Sequence, residues 1–183
     1  PNRTHWNVEY CNEDIKDVYH ELFDDALKRY NDKQTRKDRK IDDYYEKIRS
    51  GKQEKLFHEV ILQIGDKDNM GSETMEGQLA AKILDEYMRG FQERNPTLRV
   101  FAAHLHLDEA TPHLHIDFIP YVTGSKRGLD TRVSLKQALS SLGFKGGSRS
   151  ETELNQWVQS EKEKLAMVMR ENEIEWDQKG THE

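Results

Sequence analysis

The chain has 183 residues, 34 % of them hydrophobic and 34 % charged, with 28 basic against 34 acidic side chains and a formal net charge of −6. That length points to one domain, the acidic balance weighs against a protein that coats nucleic acid through bulk charge, and no apolar run approaches the roughly 18 residues of a membrane-spanning helix. The single cysteine, Cys11, forbids an intrachain disulfide or a multi-cysteine zinc site and fits a reducing cytosol.

Pro1, Asn2, Arg3 and Thr4 form no basic and apolar leader, and no initiator Met precedes them, so the chain reads as a fragment without a signal peptide. Trp6, Val8 and Tyr10 alternate with polar residues, which predicts a short strand over 4–10. Asn12 suits an N-cap, with Glu13 and Asp14 in the first turn. Ile15, Val18, Tyr19, Leu22, Phe23, Ala26, Leu27 and Tyr30 then recur at spacings of three and four, giving an amphipathic helix. A basic stretch over 33–40 leads into a helical segment over 38–49, whose thin apolar edge is Ile41, Tyr44, Tyr45 and Ile48.

Residues 56–64 are apolar and β-branched and close on Gly65–Asp66, so they read as an interior strand. Gly71 and Ser72 introduce a second strong helix with the stripe Leu79, Ala80, Ile83, Leu84, Tyr87, Met88 and Phe91, ended by Asn95–Pro96. Strands over 98–107 and 113–122 follow, joined by a turn. Ser134 and Gln137 make a capping box for a short helix ended by Gly143. Ser150 and Glu153 make another, opening a helix with Leu154, Trp157, Val158, Leu165, Val168 and Met169 on one face. The order β-α-α-β-α-β-β-α-α implies an α+β fold, a mostly antiparallel sheet with helices packed on it.

Four of eight histidines fall within twelve residues, in His104-Leu-His106-Leu-Asp108-Glu109-Ala-Thr111-Pro112-His113-Leu-His115-Ile-Asp117. Side chains alternate along a strand, so His104 and His106 share a face, as do His113, His115 and Asp117, with Leu105, Leu114 and Ile116 behind them. If the strands pair across 107–112, His106 sits opposite His113 and three imidazoles can converge on one cation. Glu109, in the turn, can serve as a fourth ligand or hold a metal-bound water. The alternatives are a histidine-rich polar face that binds no metal and a binuclear hydrolase. The second lacks downstream ligands, since His182 is the only later histidine.

The charge is segregated. Residues 122–149 carry Lys126, Arg127, Arg132, Lys136, Lys145 and Arg149 against Asp130 alone, whereas residues 150–183 carry four basic and nine acidic groups. The basic segment follows the histidine-bearing strand, so its loop is expected beside the histidines, where it could cradle phosphates.

The motif from His106 to His115 resembles the H-x-D-E-x-T-P-H-x-H signature of plasmid mobilisation/recombination (Mob/Pre, MobV-type) relaxases. Residues 2–7 resemble the family's N-P-x-R-x-H-x-N stretch, and residues from Gly128 to the end look like the close of its catalytic domain, before a dimerising tail. The resemblance implies one HUH-relaxase-like domain over 1–183 that nicks single-stranded or supercoiled plasmid DNA at a transfer origin, in the bacterial cytoplasm. It implies His106, His113 and His115 as ligands of one divalent ion, Mn or Mg in use with Zn, Ni or Co possible, and Glu109 as the catalytic near-metal carboxylate. His104, Asp108 and Asp117 are then supporting groups, and Arg3, Lys126, Arg127, Arg132, Lys145 and Arg149 contact DNA. Family members carry their nucleophilic histidine on a first strand upstream of the matched stretch. On that reading this chain binds metal without nicking, unless a tyrosine serves, with Tyr10, Tyr19 and Tyr121 as candidates. The alternative is a non-catalytic, metal-stabilised DNA-binding module.

Overall fold

The computed structural model describes residues 7–64, 75–107 and 111–180. In chain order these form β1 (Val8–Asn12), α1 (Ile15–Asp32), a 3-10 turn (Lys37–Arg39), α2 (Tyr44–Ser50), β2 (His58–Gln63), α3 (Met75–Arg94), β3 (Leu98–His106), β4 (His113–Val122), β5 (Arg132–Val133), α4 (Leu135–Ser141) and α5 (Glu153–Gly180). The sheet runs β1-β3-β4-β2, with β5 pairing the far end of β4, and every pairing is antiparallel. This is an α+β fold. No helix among the described residues is long and apolar enough to cross a membrane.

Helices cover both sides of the sheet. On one side Ile83, Leu84, Tyr87 and Phe91 of α3 pack with Trp157 of α5 against Leu105, Leu114, Ile116 and Phe118. On the other, Val18, Tyr19, Phe23 and Ala26 of α1 and Tyr44 of α2 pack on Phe101, Ala102, Ile119 and Val133. A bulge between Val100 and Ala102 lets β3 serve both cores, because Phe101 and Ala102 turn together to the α1 side. Pro120 fits a central strand because its missing N–H falls where β4 passes from β2 to β5. Its neighbour Tyr121 donates to Thr97 on the β3 side.

Several boundaries differ from expectation. The first strand is shifted to 8–12, and residues 4–6 lie outside the described residues. Asn12 stays in the ladder opposite Ala102. The cap of α1 is Asp14, whose carboxylate accepts from the amides of Lys16 and Asp17. The segment expected to be helical over 38–49 splits, because Asp43 caps only the last two turns. β2 is an edge strand rather than an interior one: its side chains alternate in exposure and Ile61 is 57 % exposed. Thr152, not Ser150, caps α5 through the amide of Asn155, and Leu154 on its expected apolar face is exposed. Ser134 caps α4 through Gln137 as expected. The two-residue β5 has too short a pattern to read. Gly71 and Ser72 lie outside the described residues.

Candidate metal centre

The site is built by the register of one hairpin. His106 pairs with His113 and His104 with His115, and directly opposed residues of an antiparallel pair present their side chains to the same face. Leu105, Leu114 and Ile116 point the other way and are at most 1 % exposed, so core packing fixes which face the histidines take.

The rings of His106, His113 and His115 form a near-equilateral triangle, with centroids 5.3, 4.8 and 5.0 Å apart. With ion–nitrogen bonds of about 2.1 Å, three imidazoles sharing one ion have ring centres roughly 4.6 Å apart at right-angle coordination and roughly 5.3 Å at tetrahedral coordination. The observed spacing falls in that range, so the donor set fits a single ion. As the rings stand, no group of three His, Cys, Asp or Glu among the described residues is arranged to hold one. Closing on an ion therefore needs the rings to turn about χ1 and χ2. His113 is partly oriented already: Nδ1 lies 2.9 Å from the carbonyl of Thr111, which can only accept, so Nδ1 carries the proton and Nε2 is the nitrogen with a lone pair to coordinate.

Around the triangle the structure places two carboxylates that the sequence reading missed. Glu9 of β1 lies 3.8 Å from His104, whose ring stacks on His106 at 6.2 Å outside the triangle. Glu59 of β2 lies 3.9 Å from Nδ1 of His115 and directly opposite Asp117 in the ladder. The carboxylate found beside His115 is thus Glu59, with Asp117 directly opposite it in the ladder. Burial, and then the neighbouring Glu59, push the Asp117 carboxyl up to about 7. A signal for Glu59 was present, since a lone charge inside an apolar strand needs a polar destination. Asp108 and Glu109 lie outside the described residues, as does Arg3.

The tyrosine candidates do not gather here. Tyr10 donates to Asp85 of α3, behind the sheet. Tyr19 is buried under α1 and donates to the carbonyl of Leu56, and Tyr121 donates to that of Pro96 at the other end of β3.

The basic segment is also misplaced by the expectation. β4 starts at the histidines and runs ten residues before the loop begins. Lys126 and Arg127 therefore leave the sheet at its far end, and Arg132 of β5 pairs there with Val122, about 30 Å from His113 at roughly 3.3 Å per residue. Lys145 and Arg149 lie in the connection from α4 to α5, where Phe144 packs into the α3-side core. These basic residues thus fall in two stretches, one before α4 and one after it.

The family model described as plasmid recombination enzyme (Mob_Pre) matches residues 2–167. No curated protein and no solved structure matches the chain significantly.

Proposed function

Because the chain belongs to the plasmid recombination enzyme family, we propose that it is a relaxase domain that nicks one strand of plasmid DNA at a transfer origin with one divalent cation. The observation that carries this reading is the triangle of imidazoles on the β3–β4 hairpin. His106, His113 and His115 would hold the ion, His113 through Nε2. When bound, the ion supplies Lewis acidity toward the oxygens of an anionic phosphodiester. Imidazole donors suit manganese, cobalt, nickel or zinc better than magnesium. The protein's own part is placement, since strands locked by Leu105, Leu114 and Ile116 hold the rings on one rigid face. Glu109, between the two strands in sequence, is the proposed near-metal carboxylate, and Arg3 a proposed DNA contact.

Calorimetric titration with Mn²⁺ tests the centre. One ion per chain is expected, with binding lost in His113→Ala. A chain that takes up no ion, or takes it up unchanged after all three histidines become alanine, overturns the reading.

The placement of Tyr10, Tyr19 and Tyr121 away from the histidines favours a second reading, a metal-stabilised DNA-binding module. Incubation of a transfer-origin oligonucleotide with and without Mn²⁺ separates the two. Ion-dependent nicking supports the first, and binding without nicking supports the second.

A further inference from the structure

A cavity of about 790 Å³ opens at the end of the molecule away from the histidines, between α2, residues 50–54 and residues 127–133. Its floor is apolar, made by Ile41, Tyr44, Ile48 and Leu129. The Tyr44 ring is held in place because its hydroxyl accepts from the amide of Val133. Around the floor stand four cations, Lys47, Lys52, Arg127 and Arg132, against the single carboxylate of Glu54.

Those cations differ from their neighbours. Arg29 is forked onto Asp130, Arg36 onto Asp38 and Arg49 onto Glu46. Among the described residues no such ion pair engages Lys47, Lys52 or Arg127, and Arg132 donates to Ser125 Oγ and lies within electrostatic reach of Glu54. Gly128 takes a φ of +66°, a turn that lets both Arg127 and Leu129 line the cavity. In a chain of net charge −6 this is a local positive well over an apolar floor. That pairing fits a ligand with an anionic group and a planar apolar one, and the volume lies in the range of small-molecule sites.

We propose that this cavity takes one nucleotide unit of the DNA strand, its phosphate against Lys47, Lys52, Arg127 and Arg132 and its base over the Tyr44–Ile48 floor. The inference rests on the plasmid-DNA reading above and adds a second holding point to it. Tyr44, Leu129 and Val133 belong to the α1-side core, so the cavity opens on the same side of the sheet as the histidines. It lies about 20 Å along β4 from His115, six residues at roughly 3.3 Å each. A nucleotide held there is therefore remote from the phosphate at the metal centre and fixes the strand at a distance from it.

The test is fluorescence anisotropy with a labelled single strand of about 12 nucleotides, read across a salt series. The probe protein is K47A/K52A/R127A, three exposed side chains whose loss leaves both cores intact. Its control is K162A/K164A/R170A, the same charge change on α5. Each phosphate contact contributes a log–log salt slope of about −0.7, so losing the one phosphate held here should weaken the cavity variant roughly 5-fold at about 0.1 M salt and flatten its slope by about 0.7. The control should bind nearly as the parent does. A nucleoside monophosphate should compete better than inorganic phosphate. Equal competition by the two would overturn the placement of the base. A cavity variant that binds like the parent, or a control that loses as much, overturns the cavity while leaving the DNA reading standing. A parent chain that binds no oligonucleotide overturns both.

Discussion

Glu161→Ala should unfold the α3–α5 clamp at a cost that the contacts of one carboxylate set. Glu161, its side chain 11 % exposed, accepts from the Tyr87 hydroxyl at 2.6 Å, from Arg94 at 2.9 Å and from the Asn95 amide at 3.2 Å. Asn95 in turn accepts from Trp157 Nε1, so the network reaches the middle of the core. Truncation orphans a buried hydroxyl and one amide N–H, at about 1–3 kcal/mol each. Arg94 is about a quarter exposed and can turn to water, so it adds little. The sum is about 2–6 kcal/mol, a range that contains the roughly 3–5 kcal/mol of a broken buried pair. Glu161→Gln keeps one acceptor oxygen and should cost about 1–2 kcal/mol. Urea unfolding at fixed pH gives both values. Because the network lies on the α3 side of the sheet, Mn²⁺ affinity at the histidines should not change in either variant. A loss below about 1 kcal/mol for Glu161→Ala, or a Gln variant as damaged as the Ala variant, would refute the assignment of the cost to orphaned donors.

Glu109→Ala should weaken Mn²⁺ binding less than His113→Ala, since water can replace a carboxylate more readily than an imidazole already oriented by Thr111. Calorimetry that reverses this ranking removes Thr111 from the argument. Gly128→Ala forces a side chain into a φ of +66° and should cost about 1–2 kcal/mol, although open space surrounds the position; an unchanged urea midpoint would show that the turn relaxes. His58 is stacked on Phe118, and burial, with Lys55 nearby, holds its ring below the usual 6.5. The unfolded chain therefore binds a proton there that the fold does not, and stability falls as pH drops through about 6.5. His58→Phe should flatten that fall between about pH 7 and pH 5, and an equal fall in the variant would assign it elsewhere.

The hairpin was legible because its pattern is local: alternation names the face, and the short connection between the strands sets His106 opposite His113. The stripes of α1 and α3 were legible for the same reason. What period-two alternation does not contain is a strand's neighbours. The apolar run around Val60 reads as interior, yet its outer side is the sheet edge, which is why Ile61 stands exposed and Glu59 can turn to His115. The positions of Glu9 and of the 123–131 loop depend on strand order and direction, which are long-range properties. A segment that follows a strand leaves from its last residue, so Lys126 lies one strand length from His113. Caps were readable where one side chain could do the work, as at Ser134, and misread where Asn12 or Ser150 competed with a neighbour of equal chemistry.

The bulge in β3 also governs which insertions and deletions the site can survive. Leu98 and Val100 face the α3 core, and so do Ala103 and Leu105, with Phe101 and Ala102 as the doubled position between them. Removing Ala102 restores plain alternation and leaves His104 and His106 on their own face. Removing Leu105 instead drives one of those imidazoles toward Leu84 and Phe91. Length variation within this strand is thus confined to a single residue, and the gap in any relative that has lost one should fall there.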